Sequence, residues 1–166
     1  IVLEDAAQAH GAVQNGKKSC SFGTAAATSF FPAKPLGCYG DGGAVFTDDD
    51  NLIEIMKSIR IHGQGSDKYE NVRIGLNGRM DTIQAAVLLA KLTIFDEEIE
   101  LRNIIAKRYN ELLTDKLVVP FTPEDNISVW AQYSVLAKSS EERQKIQDAL
   151  KQKGIPTAIY YPIPLH

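Results

Sequence analysis

The residue best suited to covalent chemistry in this sequence is a lysine in a predicted rigid turn. Lys34 closes the segment Ser29–Lys34, in which Pro32 ends a predicted strand because proline cannot donate a hydrogen bond to a sheet. Positions 29 and 34 would face opposite sides of a continuous strand, but the turn can return Lys34 to the side that Ser29 faces. A lysine in apolar surroundings loses solvation, which favours its neutral amine, a nucleophile for a carbonyl group. An ordinary surface lysine is the alternative.

A carboxylate follows the first apolar segment of the chain. Ile1–Glu4 predicts a short buried strand, Asp5 comes directly after it, and Gln8 stands in the following turn. Ligands of open α/β sheets bind beyond the carboxyl ends of the strands, so the side chain of Asp5 can reach a bound cationic nitrogen. An aspartate that caps the next turn is an equally good interpretation.

Two further motifs carry weaker signals. Gly40–Gly43 matches neither the dinucleotide-binding fingerprint nor the Walker lysine loop, and a tight turn into a strand at Ala44–Thr47 is the better interpretation. The loop Gly75–Asp81 places the amide of Asn77 and the guanidinium of Arg79 before a predicted helix start, where anions are favoured. Taken alone, each motif is also compatible with an ordinary connection.

The pattern of histidines and cysteines predicts no metal centre. His10, His62 and His166 have no metal-ligand spacing. Cys20 and Cys38 form neither a CxxC site nor a disulfide framework, and two unpaired thiols fit a reducing cytoplasm. The sequence also shows no Ser/His/Asp order and no nucleophile elbow.

The composition argues against several classes of protein. Of the 166 residues, 18 are basic and 21 acidic, and a net charge of −3 argues against binding to a nucleic-acid backbone. A hydrophobic share of 44% and a charged share of 23% are ordinary globular values, so disorder is not expected. No apolar run approaches the roughly 20 residues of a membrane-spanning helix, so no membrane segment is expected.

The periodicity of apolar residues predicts a mixed α/β chain that would position these side chains. The predicted elements are strands over Ile1–Glu4, Ala25–Phe31 and Ala44–Thr47, a solvated bend at Lys17 and Lys18, a helix from the Asp48–Asp50 cluster to Gly63, an apolar helix from Asp81 to about Phe95, a helix over Glu97–Leu113, a strand over Val129–Leu136, a helix over Glu141–Lys153 ended by Gly154, and a strand over Thr157–Tyr161. The apolar helix is predicted to be buried or to form an interface. The loop Gly65–Arg79 before it is too long for a simple connector and is typical of functional loops.

A linker near Pro120–Asn126 predicts that the chain divides into two domains. Residues 1–95 would form the first domain and residues 96–166 a smaller α+β domain, with the boundary between Phe95 and Pro120. The chain opens inside a predicted strand and ends without a closing element, so we expect it to be part of a longer protein.

Four motifs, in order and with natural spacing, resemble those of the DegT family of nucleotide-sugar aminotransferases. They are Glu4–Gly11, Ser29–Lys34, Gly40–Ala44 and Asn77–Asp81. The resemblance implies a pyridoxal-phosphate enzyme with the α/β fold of aspartate aminotransferase (fold type I). Residues 1–95 would then be the C-terminal part of the large cofactor-binding domain, and residues 96–166 most of the small domain. The phosphate-binding glycine segment and the aromatic residue stacked on the cofactor ring would lie upstream, so the piece alone is expected to be inactive.

The functional roles of the family fall on matching positions of this sequence. By that resemblance, Lys34 would form the Schiff base with the cofactor and later move the substrate proton, and Asp5 would pair with the pyridine nitrogen. Gln8 would hydrogen-bond near the phenolic oxygen of the cofactor, and Ser29 would bind its phosphate. Asn77 would reach the cofactor phosphate of the neighbouring subunit, which implies a homodimer with shared active sites.

The amino-acid sequences of two segments resemble those of one subgroup of the family. Ser29–Gly43 and Tyr161–Leu165 are similar to enzymes that aminate UDP-linked 3-keto-N-acetylglucosaminuronic acid for bacterial surface polysaccharide such as lipopolysaccharide O-antigen. The resemblance implies L-glutamate as amino donor and Arg79, Tyr160 and Tyr161 as substrate contacts. The alternatives are amination at another carbon, such as a 4-keto position, of a UDP- or dTDP-sugar, and a non-catalytic regulatory module with the same fold. The Schiff-base lysine argues against related dehydratases, which carry histidine in its place.

Overall fold

The structure is a computed structural model that describes residues 1–163, and it forms two compact units. The first unit consists of Ile1–Lys107 and Thr122–Gln132, and the second consists of Arg108–Phe121 and the chain from Tyr133 onward. The predicted boundary between Phe95 and Pro120 concerns the domains of a longer protein and stays a prediction.

Within residues 1–163 five short strands come first along the chain, and three helices, a further short strand and a last helix follow, which confirms the mixed α/β prediction. The elements are β1 (Leu3–Asp5), β2 (Val13–Gln14), β3 (Lys17–Lys18), β4 (Ala25–Ser29), β5 (Gly43–Phe46), α1 (Asp50–Arg60), α2 (Thr82–Leu92), α3 (Phe95–Leu113), β6 (Asn126–Ile127) and α4 (Ser140–Gln152). The predicted helices and the first three predicted strands are all present, with bounds shifted by a few residues.

Three strands form the sheet that carries the candidate site. The order is β1-β4-β5, with β1 parallel to β4 and β5 antiparallel to it. Asp5 pairs with Ala27, and Ser29 pairs with Gly43. The end of β1 and the end of β4 therefore lie side by side at one edge of the sheet.

A second small sheet corrects the prediction for Lys17 and Lys18. These residues form β3 and pair with Val13–Gln14, which in turn pairs with Asn126–Ile127. The two residues between the strands, Asn15 and Gly16, have φ of 49° and 76°. An Asn-Gly pair favours such positive φ values in a two-residue hairpin turn, so the bend is a hairpin.

The helices begin and end where their local sequence predicts. The side chain of Asp49 accepts hydrogen bonds at the start of α1, that of Asp81 at the start of α2, and that of Ser139 at the start of α4. Gly63 and Gly154, which follow α1 and α4, have φ of 75° and 72°. Glycine adopts this left-handed conformation without a steric penalty, so Gly154 ends α4 as predicted. The helix α1 ends earlier, at Arg60, because His62 already has a left-handed φ of 58°, and the N–H of Gly63 donates to the carbonyl of Ser58.

Two predicted strands are wrong. Within Val129–Leu136 the structure has no ladder, and a single bridge joins Val118 to Leu136. Thr157–Tyr161 makes no ladder within residues 1–163. A run of β-branched residues becomes a strand only when another strand pairs with it, which local sequence does not specify. Pro164, Leu165 and His166 lie outside the described residues.

One buried cluster in the first unit supports the sheet. Its members are Phe30, Leu36, Cys38, Leu88, Phe95, Ile99 and Val129. Burying a large apolar side chain stabilises a fold by about 1.5–3 kcal/mol relative to exposing it. Three members, Phe30, Leu36 and Cys38, flank Lys34 in sequence, so the cluster anchors both ends of the segment that carries this lysine.

Candidate active site

Asp5 and Ser29 lie on the same face of the three-stranded sheet. Asp5 pairs with Ala27, and side chains alternate along a strand, so Asp5, Ala27 and Ser29 project to one side. Ala26 and Thr28 project to the other side, where both are buried. Ala27 is exposed, and its methyl group leaves the centre of this face open to a flat ligand.

Asp5 also caps the turn that follows β1. Its Oδ1 accepts a hydrogen bond from the backbone N–H of Ala7 at 3.0 Å. The Oγ1 of Thr28 donates to the carbonyl of Ala6 at 2.9 Å, and the N–H of Ala6 donates to the carbonyl of Ala27 at 2.8 Å. These bonds hold the end of β1 in place. The capping interpretation is thereby confirmed, and the second carboxylate oxygen of Asp5 is a further acceptor on the exposed face.

The predicted turn at Pro32 is present and carries Lys34. The backbone N–H of Lys34 donates to the carbonyl of Phe31 at 2.9 Å. The N–H of Phe31 donates to the Oγ of Ser29 at 3.2 Å, which ties the turn to the end of β4. Lys34 is half-buried. The chain therefore turns tightly between the hydroxyl of Ser29 and the amine of Lys34.

Cys38 closes this loop at its base, a role that the sequence did not predict. Its N–H donates to the carbonyl of Phe30 at 2.8 Å, and the N–H of Phe30 donates to the carbonyl of Gly42 at 2.8 Å. The Sγ of Cys38 is fully buried and lies 2.9 Å from the carbonyl oxygen of Phe30 and 3.0 Å from that of Gly40. A small apolar side chain between two glycines, Gly37 and Gly40, is the signal that could have indicated this packing.

His10 and Gln8, from the same motif, have different surroundings. The imidazole of His10 packs against the rings of Phe30, Phe46 and Phe95, with centroids 5.7, 6.1 and 5.9 Å away. Burial, with a smaller contribution from the charge of Lys18, lowers the pKa of His10 from its ordinary value and so favours the neutral imidazole. The half-buried ring of His10 thus packs against three aromatic side chains.

Gln8 is exposed in the turn after Asp5. Its predicted contact near the phenolic oxygen of a cofactor stays a prediction.

The loop that contains Asn77 and Arg79 is tied to the end of α1. The N–H of His62 donates to the carbonyl of Leu76 at 3.0 Å, and the N–H of Gly78 donates to the carbonyl of Arg60 at 2.8 Å. The Nε of Arg79 donates to the Oδ1 of Asn77 at 3.0 Å, and both side chains are exposed. The predicted long loop is therefore an ordered excursion that presents these two side chains outward.

Apolar side chains are exposed on this loop and on α2. Tyr69 and Ile74 on the loop are 88% and 97% exposed, and Ile83 and Leu89 on α2 are 71% and 67% exposed. Only Leu88 of α2 is buried. Of the two predictions for this apolar helix, burial or an interface, burial within this chain is wrong.

The predicted substrate contacts Tyr160 and Tyr161 are exposed and belong to the second unit. Their role, like those of Asn77 and Arg79 toward a second subunit, stays a prediction. Among residues 1–163 no group of three or more His, Cys, Asp and Glu side chains is arranged to hold a metal ion. Over the same residues, no helix is both long enough and apolar enough to span a bilayer.

Comparison with known proteins points to one family. The sequence model of the DegT/DnrJ/EryC1/StrS aminotransferase family matches residues 1–166. A UDP-2-acetamido-2-deoxy-3-oxo-D-glucuronate aminotransferase of Pseudomonas aeruginosa is 52% identical over 166 residues, which cover 99% of this chain and 45% of that protein. A pleiotropic regulatory protein of Geobacillus stearothermophilus is 44% identical over 170 residues, 100% of this chain and 45% of that protein. The chain therefore spans less than half the length of these relatives.

Solved structures show the same fold. A DegT DnrJ EryC1 StrS aminotransferase from Brucella abortus superposes with a TM-score of 0.95 at 52% identity, over 99% of this chain and 43% of that one. NtdA from Bacillus subtilis with bound cofactor PMP has a TM-score of 0.78 at 29% identity, over 86% of this chain and 34% of that one. The α/β prediction of an aminotransferase fold is confirmed.

Proposed function

The chain belongs to the DegT/DnrJ/EryC1/StrS aminotransferase family, and from that premise we propose that the protein is a pyridoxal-phosphate-dependent nucleotide-sugar aminotransferase. Its amino donor is L-glutamate, and its acceptor is a UDP-linked 3-keto sugar acid. The name of the relative at 52% identity supports this acceptor. We place the reaction in the cytoplasm, in the synthesis of a bacterial surface polysaccharide such as lipopolysaccharide O-antigen.

The observation that carries the proposal is the donor set at the end of the sheet. Asp5 and Ser29 project from one exposed face, and the turn after Ser29 carries Lys34. A carboxylate, a hydroxyl and an amine match the pyridine nitrogen, the phosphate and the aldehyde of pyridoxal phosphate. The exposed methyl of Ala27 leaves space for a flat ring between them. These residues fit the cofactor, and the solved relative that contains PMP, its aminated form, supports the assignment.

Each residue of the set has a distinct chemical task. Asp5 would accept a hydrogen bond from the protonated pyridine nitrogen and hold that proton in place, because a carboxylate stabilises a nearby cation. Ser29 would donate its hydroxyl hydrogen to the phosphate. Lys34 would bond through its Nζ to a carbonyl carbon, with loss of water, and, once the amino group of glutamate has displaced it, would take a proton from the Cα of glutamate. When bound, pyridoxal phosphate supplies a carbonyl that takes up the amino group and a ring that accepts electrons.

The proposed functional unit is a homodimer in which Asn77 and Arg79 reach the site of the partner subunit. Both side chains are exposed on an ordered loop. The apolar residues beside them, such as Ile74 and Ile83, are exposed in the single chain, which supports an interface there. Closed twofold dimers are the commonest homo-oligomers, and such a dimer would place each loop across the interface.

Two other functions remain to be separated by experiment. Amination at a different carbon of a UDP- or dTDP-sugar uses the same cofactor residues. A regulatory module without catalysis is the other, because a relative at 44% identity is named a pleiotropic regulatory protein. The presence of both Asp5 and Lys34 favours an enzyme, since a module that only binds has no need of a nucleophilic amine or of its electrostatic partner.

The test is an assay of the full-length protein with glutamate and a panel of UDP- and dTDP-linked 3-keto and 4-keto sugars, with products identified by mass. We expect one amino-sugar product from the UDP-linked 3-keto acid. Lys34→Ala should form none, and the matched surface variant Lys57→Ala should form as much as the wild type. Product only from another keto-sugar would correct the acceptor, and no product from any of them would refute the enzymatic function.

A further inference from the structure

One face of α2 contacts the loop that carries Lys34. The Nζ of Lys91 donates to the carbonyl oxygen of Gly37 at 2.6 Å, and the Oε1 of Gln84 accepts from the N–H of Tyr39 at 2.8 Å. Gln84 and Lys91 are seven positions apart, which is two helical turns, and Leu88 between them packs into the buried cluster. The helix therefore holds the loop by two polar contacts with an apolar contact between them.

These contacts satisfy backbone groups that the loop itself leaves unpaired. Gly37 is buried, and a buried carbonyl without a partner would be costly. The bond from Lys91 is charge-assisted, and such bonds are stronger than neutral ones. The Nζ also lies 5.6 Å from the ring centroid of Tyr39, a distance at which a cation is attracted to the ring. The hydrogen bond and the contact with the ring both hold the Lys91 side chain in this position.

The contact at Gly37 is transmitted to Lys34 through closely packed backbone. An added Cβ at Gly37 would lie 2.5 Å from the carbonyl oxygen of Pro32 and 2.8 Å from that of Phe31. The carbonyl of Phe31 is the same group that accepts the hydrogen bond from the N–H of Lys34. A shift of Gly37 would therefore move the turn directly, because no flexible side chain lies between the two segments.

We infer that Lys91, together with Gln84, is a positioning residue that holds the Lys34 turn in its reactive geometry. The inference rests on the proposed function, because it assigns Lys91 a role through Lys34. Lys91 itself takes no part in bond making. Without its bond to Gly37 the loop gains freedom, and the amine of Lys34 spends less time aligned with its carbonyl partner. A misplacement of about 1 Å at a reacting group costs on the order of 100-fold in rate.

The experiment compares Lys91→Met and Lys91→Arg in the full-length protein with Lys57→Met as the control. Methionine keeps the length of the side chain without a donor, whereas arginine keeps a charged donor. Lys57 pairs with Glu54 at 2.6 Å on the exposed side of α1 and is not among the contacts of the loop that carries Lys34. The readouts are kcat, KM for the keto-sugar, the melting temperature, and the rate at which apoprotein fixes pyridoxal phosphate on Lys34, trapped at intervals with borohydride and quantified by peptide mass.

We expect Lys91→Met to lower both kcat and the rate of cofactor fixation by about tenfold or more. KM should change less than about twofold, and Lys91→Arg should restore most of both rates. Wild-type values in Lys91→Met, or no rescue by arginine, would overturn the inference. If wild-type protein fixes no cofactor on Lys34, the proposed function fails and the inference fails with it.

A second pair keeps the test decisive if Lys91→Met does not fold. Gln84→Glu retains an oxygen acceptor for the N–H of Tyr39, whereas Gln84→Leu removes it. We expect slower cofactor fixation in Gln84→Leu than in Gln84→Glu by about threefold or more, a difference that corresponds to the loss of one hydrogen bond. Equal and wild-type rates in both variants would overturn the inference while leaving the proposed function intact.

Discussion

Gly37→Ala tests directly whether the backbone of the loop that carries Lys34 is too closely packed to accept an added methyl group. The added Cβ would lie 2.5 Å from the carbonyl oxygen of Pro32 and 2.8 Å from the carbonyl oxygen of Phe31. Carbon–oxygen contacts between backbone groups are normally about 3.3–3.6 Å, so the overlap with Pro32 is about 0.8 Å. All the nearest atoms are backbone, which cannot rotate away. The loop must therefore open by about 0.8 Å beside Lys34.

We expect this opening to lower kcat by about 10- to 100-fold, since a displacement of about 1 Å at a reacting group costs on the order of 100-fold. Overpacking of this kind also lowers the free energy of unfolding by about 1–3 kcal/mol. Steady-state kinetics and urea unfolding of the full-length protein measure the two effects separately.

The matched control is Gly65→Ala. The atoms nearest to its added Cβ belong to the side chains of Val72 and Glu70, both exposed, which can turn aside. This variant should keep kcat within about twofold of the wild type, the change expected when only flexible side chains must move. If Gly37→Ala also stays within that range, the loop tolerates displacement and the argument from its packing is refuted.

Three further changes test the charge of Asp5, the sharing of the site between subunits, and the titration of His10. Asp5→Asn keeps the Oδ1 atom that caps the turn but removes the negative charge, so kcat should fall about 100-fold or more while the cofactor is still fixed on Lys34. A near-normal kcat would mean that Asp5 serves only as a turn cap. Mixed dimers of Lys34→Ala and Arg79→Ala should regain activity that each homodimer lacks, because one of the two sites then contains both substitutions and the other contains neither. No recovery in proven heterodimers would mean that Arg79 acts in the site of its own subunit. Burial and the charge of Lys18 lower the pKa of His10 in the folded chain. As the pH falls below about 6.5, the unfolded chain therefore binds a proton at His10 more readily than the folded chain does, and the free energy of unfolding decreases. Urea unfolding at about pH 7.5 and about pH 5 measures this decrease. It should vanish in His10→Phe, and a decrease as large as that of the wild type would contradict the role of His10.

Local sequence predicted the features that depend on near neighbours along the chain. Asp49 and Asp81 cap their helices because a side-chain oxygen reaches an N–H two or three residues away. The turn at Pro32 follows from the missing N–H of proline. The hairpin at Asn15 and Gly16 was predictable by the same kind of reasoning, from the preference of that pair for positive φ, and it was missed.

Contacts between distant parts of the chain could not be predicted in this way. Lys91 reaches the carbonyl of Gly37 across 54 positions, and nothing in the periodicity of α2 indicates that partner. Val129 looks like the start of a strand, yet it is buried in the core cluster, and within residues 1–163 no strand pairs with it. In the same way, the sequence predicted that α2 is apolar but left open whether this chain or another covers it, and the exposure of Ile83 and Leu89 favours another chain.

Borohydride reduction of the full-length protein loaded with pyridoxal phosphate, followed by digestion and peptide mass analysis, tests the central claim most directly. Reduction fixes the cofactor irreversibly on whichever amine holds it. We expect the added mass on the peptide that contains Lys34, and no added mass after treatment with excess glutamate, which takes the cofactor off the lysine. Modification of another lysine in place of Lys34, or of no lysine at all, would contradict it.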